Sequence, residues 1–219
     1  MEGLDARGAL PPLLRPDLLC DIDGYDAWER AGITHLAQPG TPYSACLDDL
    51  AGATELIRQW TPGSRSLTDC VRTAFAKPAR DEAGRWSQQR GIERIARLTA
   101  GTAKNALVSS KDLDEAWEHQ FAIVESEWFD RAMKNYLAAR LFGNWVAYQG
   151  RGLRSIVEWL RTCASVVHHF VLQRVSAGMA LETAAFIEAV RSTDLLLLHV
   201  LDSAEFARDV AASEEFHAA

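Results

Sequence analysis

The side chains of this 219-residue chain that have the right types for chemistry lie far apart, and their spacing argues against most of what they could do. Glu115, Glu118 and His119 resemble fragments of the Glu-x-x-His sets that hold two iron ions inside helical bundles. No second Glu-x-x-His follows. On a helical wheel the three residues also point away from a Trp117/Phe121 stripe, so they read as a wet helix face. His168 and His169 are adjacent, and neighbours on a helix point about 100° apart. The pair cannot easily share one ion; His168 is expected at the edge of an apolar arc and His169 toward solvent. Cys20, Cys46, Cys70 and Cys163 include no CxxC pair for zinc or an iron–sulfur cluster. Arg72 is close enough in sequence to activate Cys70, but an inert core thiol is the simpler reading. The chain carries no glycine-rich phosphate loop, nucleophile elbow or His-Glu-x-x-His motif. These residues assign no catalytic side chain, no metal ligand and no cofactor.

Two polar features are of more interest because they fall where a helical pattern calls for apolar residues. Asn135 sits inside an apolar stripe, where an unpartnered amide costs about 1–3 kcal/mol. Arg191 and Asp194 lie one turn apart on the side of Ile187 and Leu198, in the setting of a half-buried ion pair. The bland reading makes them contacts that specify the fold. The functional reading makes Asn135, Tyr136, Tyr148, Arg151, Arg191 and Asp194 the lining of a groove for a partner segment or a ligand.

The elements that must position these residues are helices, because the apolar spacing is three-to-four almost everywhere and strand signals are nearly absent. An irregular arm over 1–16 precedes an N-terminal helical half (17–105). That half should hold helices from about Asp26 (as cap) to Ala37, from Pro42 to Trp60, from Ser66 (opening a capping box) to Ala76, and from Asp81 to Leu98. A polar connection from Gly101 to Ser110 leads into a C-terminal bundle (106–219). Its first helix starts after Ser110, with Leu113, Trp117, Phe121 and Val124 as its one buried stripe. The next, from Trp128 to Gly150, carries two apolar stripes: Trp128, Ala132, Ala139, Phe142, Val146 and, opposite, Leu137, Leu141, Trp145, Tyr148. A helix apolar on two sides is sandwiched, so it is expected to be the spine. A helix over 153–176 should face water with Arg154, Glu158, Arg161, Ser165 and His169, and Gly178 should stop it. Another over 181–200 ends in four leucines expected to be buried all round. A terminal helix starts at Asp202 or Ser203 with Phe206 and Val210 inside, and its last residues, EEFHAA, should fray. The fold class is all-α, a helical bundle with long central helices and a smaller N-terminal helical half.

Composition sets outer bounds. With 48% hydrophobic and 24% charged residues the chain can build a large core. A net charge of −7 argues against a general nucleic-acid binder. DGYDAWERAGITHL shares wording with helix-turn-helix repressors, but the recognition helix is missing. No apolar run reaches the ~18 residues of a membrane span and no signal peptide is visible, so a cytoplasmic protein is expected.

NYLAARLFGNWVAYQGRGLRSIVEWL, followed by FIEAVRSTDLLLLH, resembles the C-terminal helical part of the flagellin lysine-N-methylase family. The similarity spans Trp128 to His199, about a third of the chain, and LLRPDLLCDIDGYDAWERAGITHLA is faintly similar to a segment that follows that family's cysteine cluster. The resemblance implies an all-α body and, in full members, lysine methylation dependent on a cluster of closely spaced cysteines. Cys20, Cys46 and Cys70 do not match that spacing, so no ligand is carried over. What the resemblance implies here is a helical binding or accessory module whose partner is another protein. The alternatives are a protein-lysine methyltransferase using S-adenosylmethionine and an all-α ligand-binding regulator. Substrate, oligomeric state and any separate cysteine-cluster subunit are not specified by the sequence.

Overall fold

Apolar residues three and four apart, punctuated by caps, fold into eight helices among the described residues. In a computed structural model these residues are 22–60, 66–76, 86–99, 126–142, 144, 152–178, 180–199 and 201–217. The helices are α1 (Ile22–Leu36), α2 (Tyr43–Arg58), α3 (Leu67–Ala76), α4 (Gln88–Leu98), α5 (Glu127–Leu141), α6 (Leu153–Ser176), α7 (Thr183–His199) and α8 (Ser203–His217). The protein is all-α, and no strand occurs among the described residues. None of the described helices is long and apolar enough to cross a membrane.

Local chemistry explains several helix ends. Ser66 Oγ accepts the Asp69 amide N–H at 3.1 Å and donates to the Asp69 carboxylate at 2.7 Å, a variant of the expected capping box. Asp202 Oδ1 accepts from the Ala204 and Glu205 amides and starts α8. Gly178 takes a φ of +92°, a value open to glycine, and turns α6 into α7. Asp26 does not cap α1, which begins a turn earlier at Ile22; Asp26 instead pairs along the helix with Arg30 at 3.6 Å. The α8 helix runs to His217, past the point where fraying was expected.

The spine is α6 rather than α5. Every residue from Thr162 to Leu172 is buried, so no face of these three turns meets solvent. Helices α2, α4, α5, α7 and α8 all pack on it, while α1 and α3 flank α2, and α1 also packs on α5. The supposed spine, α5, buries one face only: Phe129, Met133, Tyr136, Leu137 and Leu141, with Lys134 beside them. Of its proposed second stripe, Ala139 and Phe142 are exposed and Trp128 and Ala132 half-buried. The helix also ends early. Phe142 has an extended backbone (φ −62°, ψ 123°), so the pattern that ran on to Gly150 is broken after Leu141.

The face of α6 expected to meet water is covered. Helix α4 runs antiparallel along it, placing Gln88 at His168, Gly91 at Ser165 and Arg94 at Thr162 and Glu158. Gly91 permits this approach, since a Cβ there would overlap both Cβ and Oγ of Ser165. Helix α2 closes the other flank through Asp48–Arg161 at 3.2 Å and the Glu55–Arg154 pair. The charged side chains form an alternating string: Asp48, Arg161, Glu158, Arg94, Asp209 and Arg97, drawn from α2, α6, α4 and α8. Burial alone would raise the Glu158 pKa, but Arg161 and Arg94 outweigh it and hold the carboxyl below its ordinary 4.5. Ser165 and His169, placed on the wet side by the helical wheel, are both buried.

Candidate functional site

Asp194 on α7 and the last two turns of α5 build the one cluster that joins two of the residues singled out in the sequence. Helix α5 is pinned at its start: Ser126 Oγ caps the Phe129 amide, and Asp130 accepts the Tyr43 N–H at 2.5 Å while pairing with Lys134 at 3.0 Å. Lys134 donates onward to the Gln38 carbonyl. With its start fixed, α5 delivers Tyr136 and, one turn later, Arg140 to α7. The Tyr136 hydroxyl donates to Asp194 Oδ1 at 3.2 Å, and Arg140 pairs with Asp194 Oδ2. The guanidinium also lies 5.3 Å from the centre of the Tyr136 ring, a cation–π contact. Asn144 Nδ2 donates to the Arg140 carbonyl at 3.1 Å and closes the end of the helix. On α6, the buried Cys163 thiol neighbours the Tyr136 hydroxyl closely enough to affect its ionisation.

The electrostatics of the cluster keep its thiol and its phenol protonated. Burial, followed by the neighbouring Cys163 and Asp194, pushes the Tyr136 pKa far above its usual value. Burial likewise pushes the Cys163 thiol up to about 12, against the pull of the neighbouring Tyr136 and Arg140. Both groups stay protonated at neutral pH, so neither a thiolate nucleophile nor a phenolate base is on hand. Arg140 and Asp194 remain partly open, their side chains 27% and 29% exposed. The cluster is thus a fixed polar anchor at the protein surface.

The other predicted residues fare differently. Asn135 is exposed: the buried face of α5 follows Phe129, Met133 and Leu137, and Asn135 points the opposite way. Arg191 does not pair with Asp194. It lies on the surface with Glu188 as its ion-pair partner, while Asp194 turns inward to α5. Tyr148 and Arg151 lie outside the described residues, as do Glu115, Glu118, His119 and Cys20. Sequence reasoning missed Arg140 and Cys163. Arg140 was findable, being four residues after Tyr136 on one helix face; Cys163 had no signal beyond its place in the apolar row of α6.

The four-leucine run also departs from expectation. Leu196 and Leu197 are buried, but Leu195 and Leu198 are 61% and 50% exposed, and Ile187 is 43% exposed. These three residues share one face of α7 with Arg191. Phe142, 71% exposed, lies two residues beyond Arg140. The large exposed apolar side chains among the described residues are these four.

Two further groups look like chemistry and are not. His35 Nε2 and Asp49 Oδ2 stand 3.0 Å apart, both buried, with Cys46 three residues before Asp49. A thiol-nucleophile triad would need the sulfur on the imidazole. Cys46 Sγ instead faces the carbonyls of His35 and Thr41 at 3.9 Å, so the set braces α1 against α2. His168 Nδ1 donates to Gln88 Oε1 at 2.6 Å, and burial, then His169, pulls its pKa down to about 4. Among the described residues no three His, Cys, Asp or Glu side chains stand together as a metal-binding group. Set against family models, curated proteins and solved structures, the chain matched none of them.

Proposed function

We propose that this chain is a helical protein-binding module that docks a partner on the outer face of α7 and carries out no chemistry of its own. The observation that supports this reading most is the apolar stripe of Ile187, Leu195 and Leu198. Apolar residues scattered singly over a surface need no explanation, but a contiguous stripe with a polar anchor beside it is the pattern of an interaction site. Asp194 and Arg140 supply the anchor, held by Tyr136 at a fixed position. The test is recovery of a partner with the full chain as bait. Leu195→Asp should abolish recovery, whereas Arg72→Asp, on the exposed side of α3, should leave it intact. Equal recovery with both variants would sink the proposal, as would methyl transfer from S-adenosylmethionine to a protein lysine by the purified chain.

A further inference from the structure

We infer that the partner on α7 is a second copy of this chain, its α7 packed antiparallel against the first about a twofold axis level with Ser192 and Thr193. This rests on the reading of α7 as a docking face and names its occupant. The residues of that face are, in order, Ile187, Val190-Arg191, Asp194-Leu195 and Leu198, with Val190 at its edge, half-buried against the core. Counted outward from the midpoint between Ser192 and Thr193, they match in pairs: Arg191 with Asp194, Val190 with Leu195, Ile187 with Leu198. The face therefore reads apolar, apolar, basic, then acidic, apolar, apolar. In a twofold interface residue i meets residue j while j meets i, so a face with this inversion is complementary to itself when two copies run antiparallel.

The pairing satisfies both charge and shape. In the antiparallel register Ile187 meets Leu198 of the second copy toward either end of the paired face, and Arg191 meets Asp194 of the second copy nearer the axis; each contact occurs twice. A parallel register would instead set Arg191 against Arg191. Arg191 is well exposed, and its ion pair with Glu188 lies on its own helix, so its remaining donors can reach across. Asp194 holds Arg140 and Tyr136, and a carboxylate with four acceptor positions has room for one more guanidinium. Leu195 lies on the flank, over the aliphatic stems of Arg191 and Glu188 of the second copy. One helix face is at the small end of stable interfaces, so the dimer should be weak, with a dissociation constant on the order of 10 µM.

Sedimentation of the full chain from about 1 to 200 µM should show a monomer passing to a dimer, and Leu198→Asp should weaken the dimer at least about tenfold. Register is tested by Ile187→Cys and Leu198→Cys. Equivalent positions would lie about 16 Å apart along the paired helices, too far for a disulfide. Neither variant alone should then cross-link under mild oxidant above the background of the unaltered chain, but an equimolar mixture should. A chain that stays monomeric throughout, or an Ile187→Cys chain that cross-links with itself as well as the mixture does, overturns the inference. If the chain is monomeric while Leu195→Asp still abolishes recovery of another protein, only the self-pairing falls; if Leu195→Asp affects neither, the docking face falls with it.

Discussion

Tyr136 and Asp194, two of the residues expected to line a groove, stand hydrogen-bonded together, but the ion-pair partner of Asp194 is Arg140 rather than the expected Arg191. Residues three apart on a helix can pair, but a neighbouring helix offering an arginine at better geometry takes precedence; Arg140 captures Asp194 and leaves Arg191 to the surface. No sequence pattern of α7 alone encodes that competition. Two residues carry direct tests of the packing. His168 ordinarily titrates at 6.5 but is pulled down to about 4 by burial and His169. As pH falls below 6.5 the unfolded chain takes up a proton that the folded chain refuses, so stability drops until both forms bind it near pH 4. That drop should be roughly 3 kcal/mol and be seen in denaturant midpoints between pH 6.5 and 4, with full stability above. His168→Gln should flatten the slope. Gly91→Ala would gain about 1 kcal/mol in helix propensity but force a Cβ into Ser165. The clash should prevail, for a net loss of about 1–3 kcal/mol, and Ser165→Gly in the same chain should recover most of it. An unchanged melting temperature for Gly91→Ala would show that α4 does not approach α6 so closely.

At the scale of elements, helix type and most boundaries are legible in the sequence, because period and caps are local. The span expected over 153–176 is the helix observed, Leu153–Ser176. The hierarchy of the helices is not legible. A polar face such as Arg154–Glu158–Arg161–Ser165 has the same pattern whether it meets water or an opposing set of charges, and here α4 and α2 supply that set. Arg94 is central, reaching Glu158 at 2.7 Å and Asp209 at 3.0 Å while lying 5.5 Å from the Phe206 ring centre. Arg94→Met should cost about 2 kcal/mol, since Glu158 is left to Arg161 and Asp209 to Arg97, each carboxylate one guanidinium short, read by chemical denaturation. The Glu158 carboxyl, held below its ordinary 4.5, contributes stability that is whole above that pH and is lost as pH falls through its lowered value. Arg94→Met should therefore melt with less sensitivity to pH below 4.5 than the parent chain. A parallel loss in both would place the acid sensitivity elsewhere.

At the scale of the whole molecule, burial sorts the apolar residues, and three of the four large exposed exceptions among the described residues share one face of α7. Trp28, Phe129 and Phe206 are fully enclosed, whereas Leu195 and Leu198 stand out on α7 within two residues of the buried Leu196 and Leu197. Four leucines in a row carry no period, so the sequence could not show which two face out; the neighbours of α7 decide it. Since Leu195 and Leu198 touch little in the monomer, the double variant Leu195→Asp/Leu198→Asp should change stability by no more than about 0.5 kcal/mol, which separates a docking residue from a core residue. The most direct measurement of the central claim is hydroxyl-radical footprinting of the purified full chain at about 1 µM and at about 200 µM, on either side of the expected dissociation constant. Leu195, Leu198 and Ile187 should be oxidised in the dilute sample and protected in the concentrated one, while the exposed flank of α3 reacts equally in both. Equal oxidation of the α7 residues in the two samples would contradict the account.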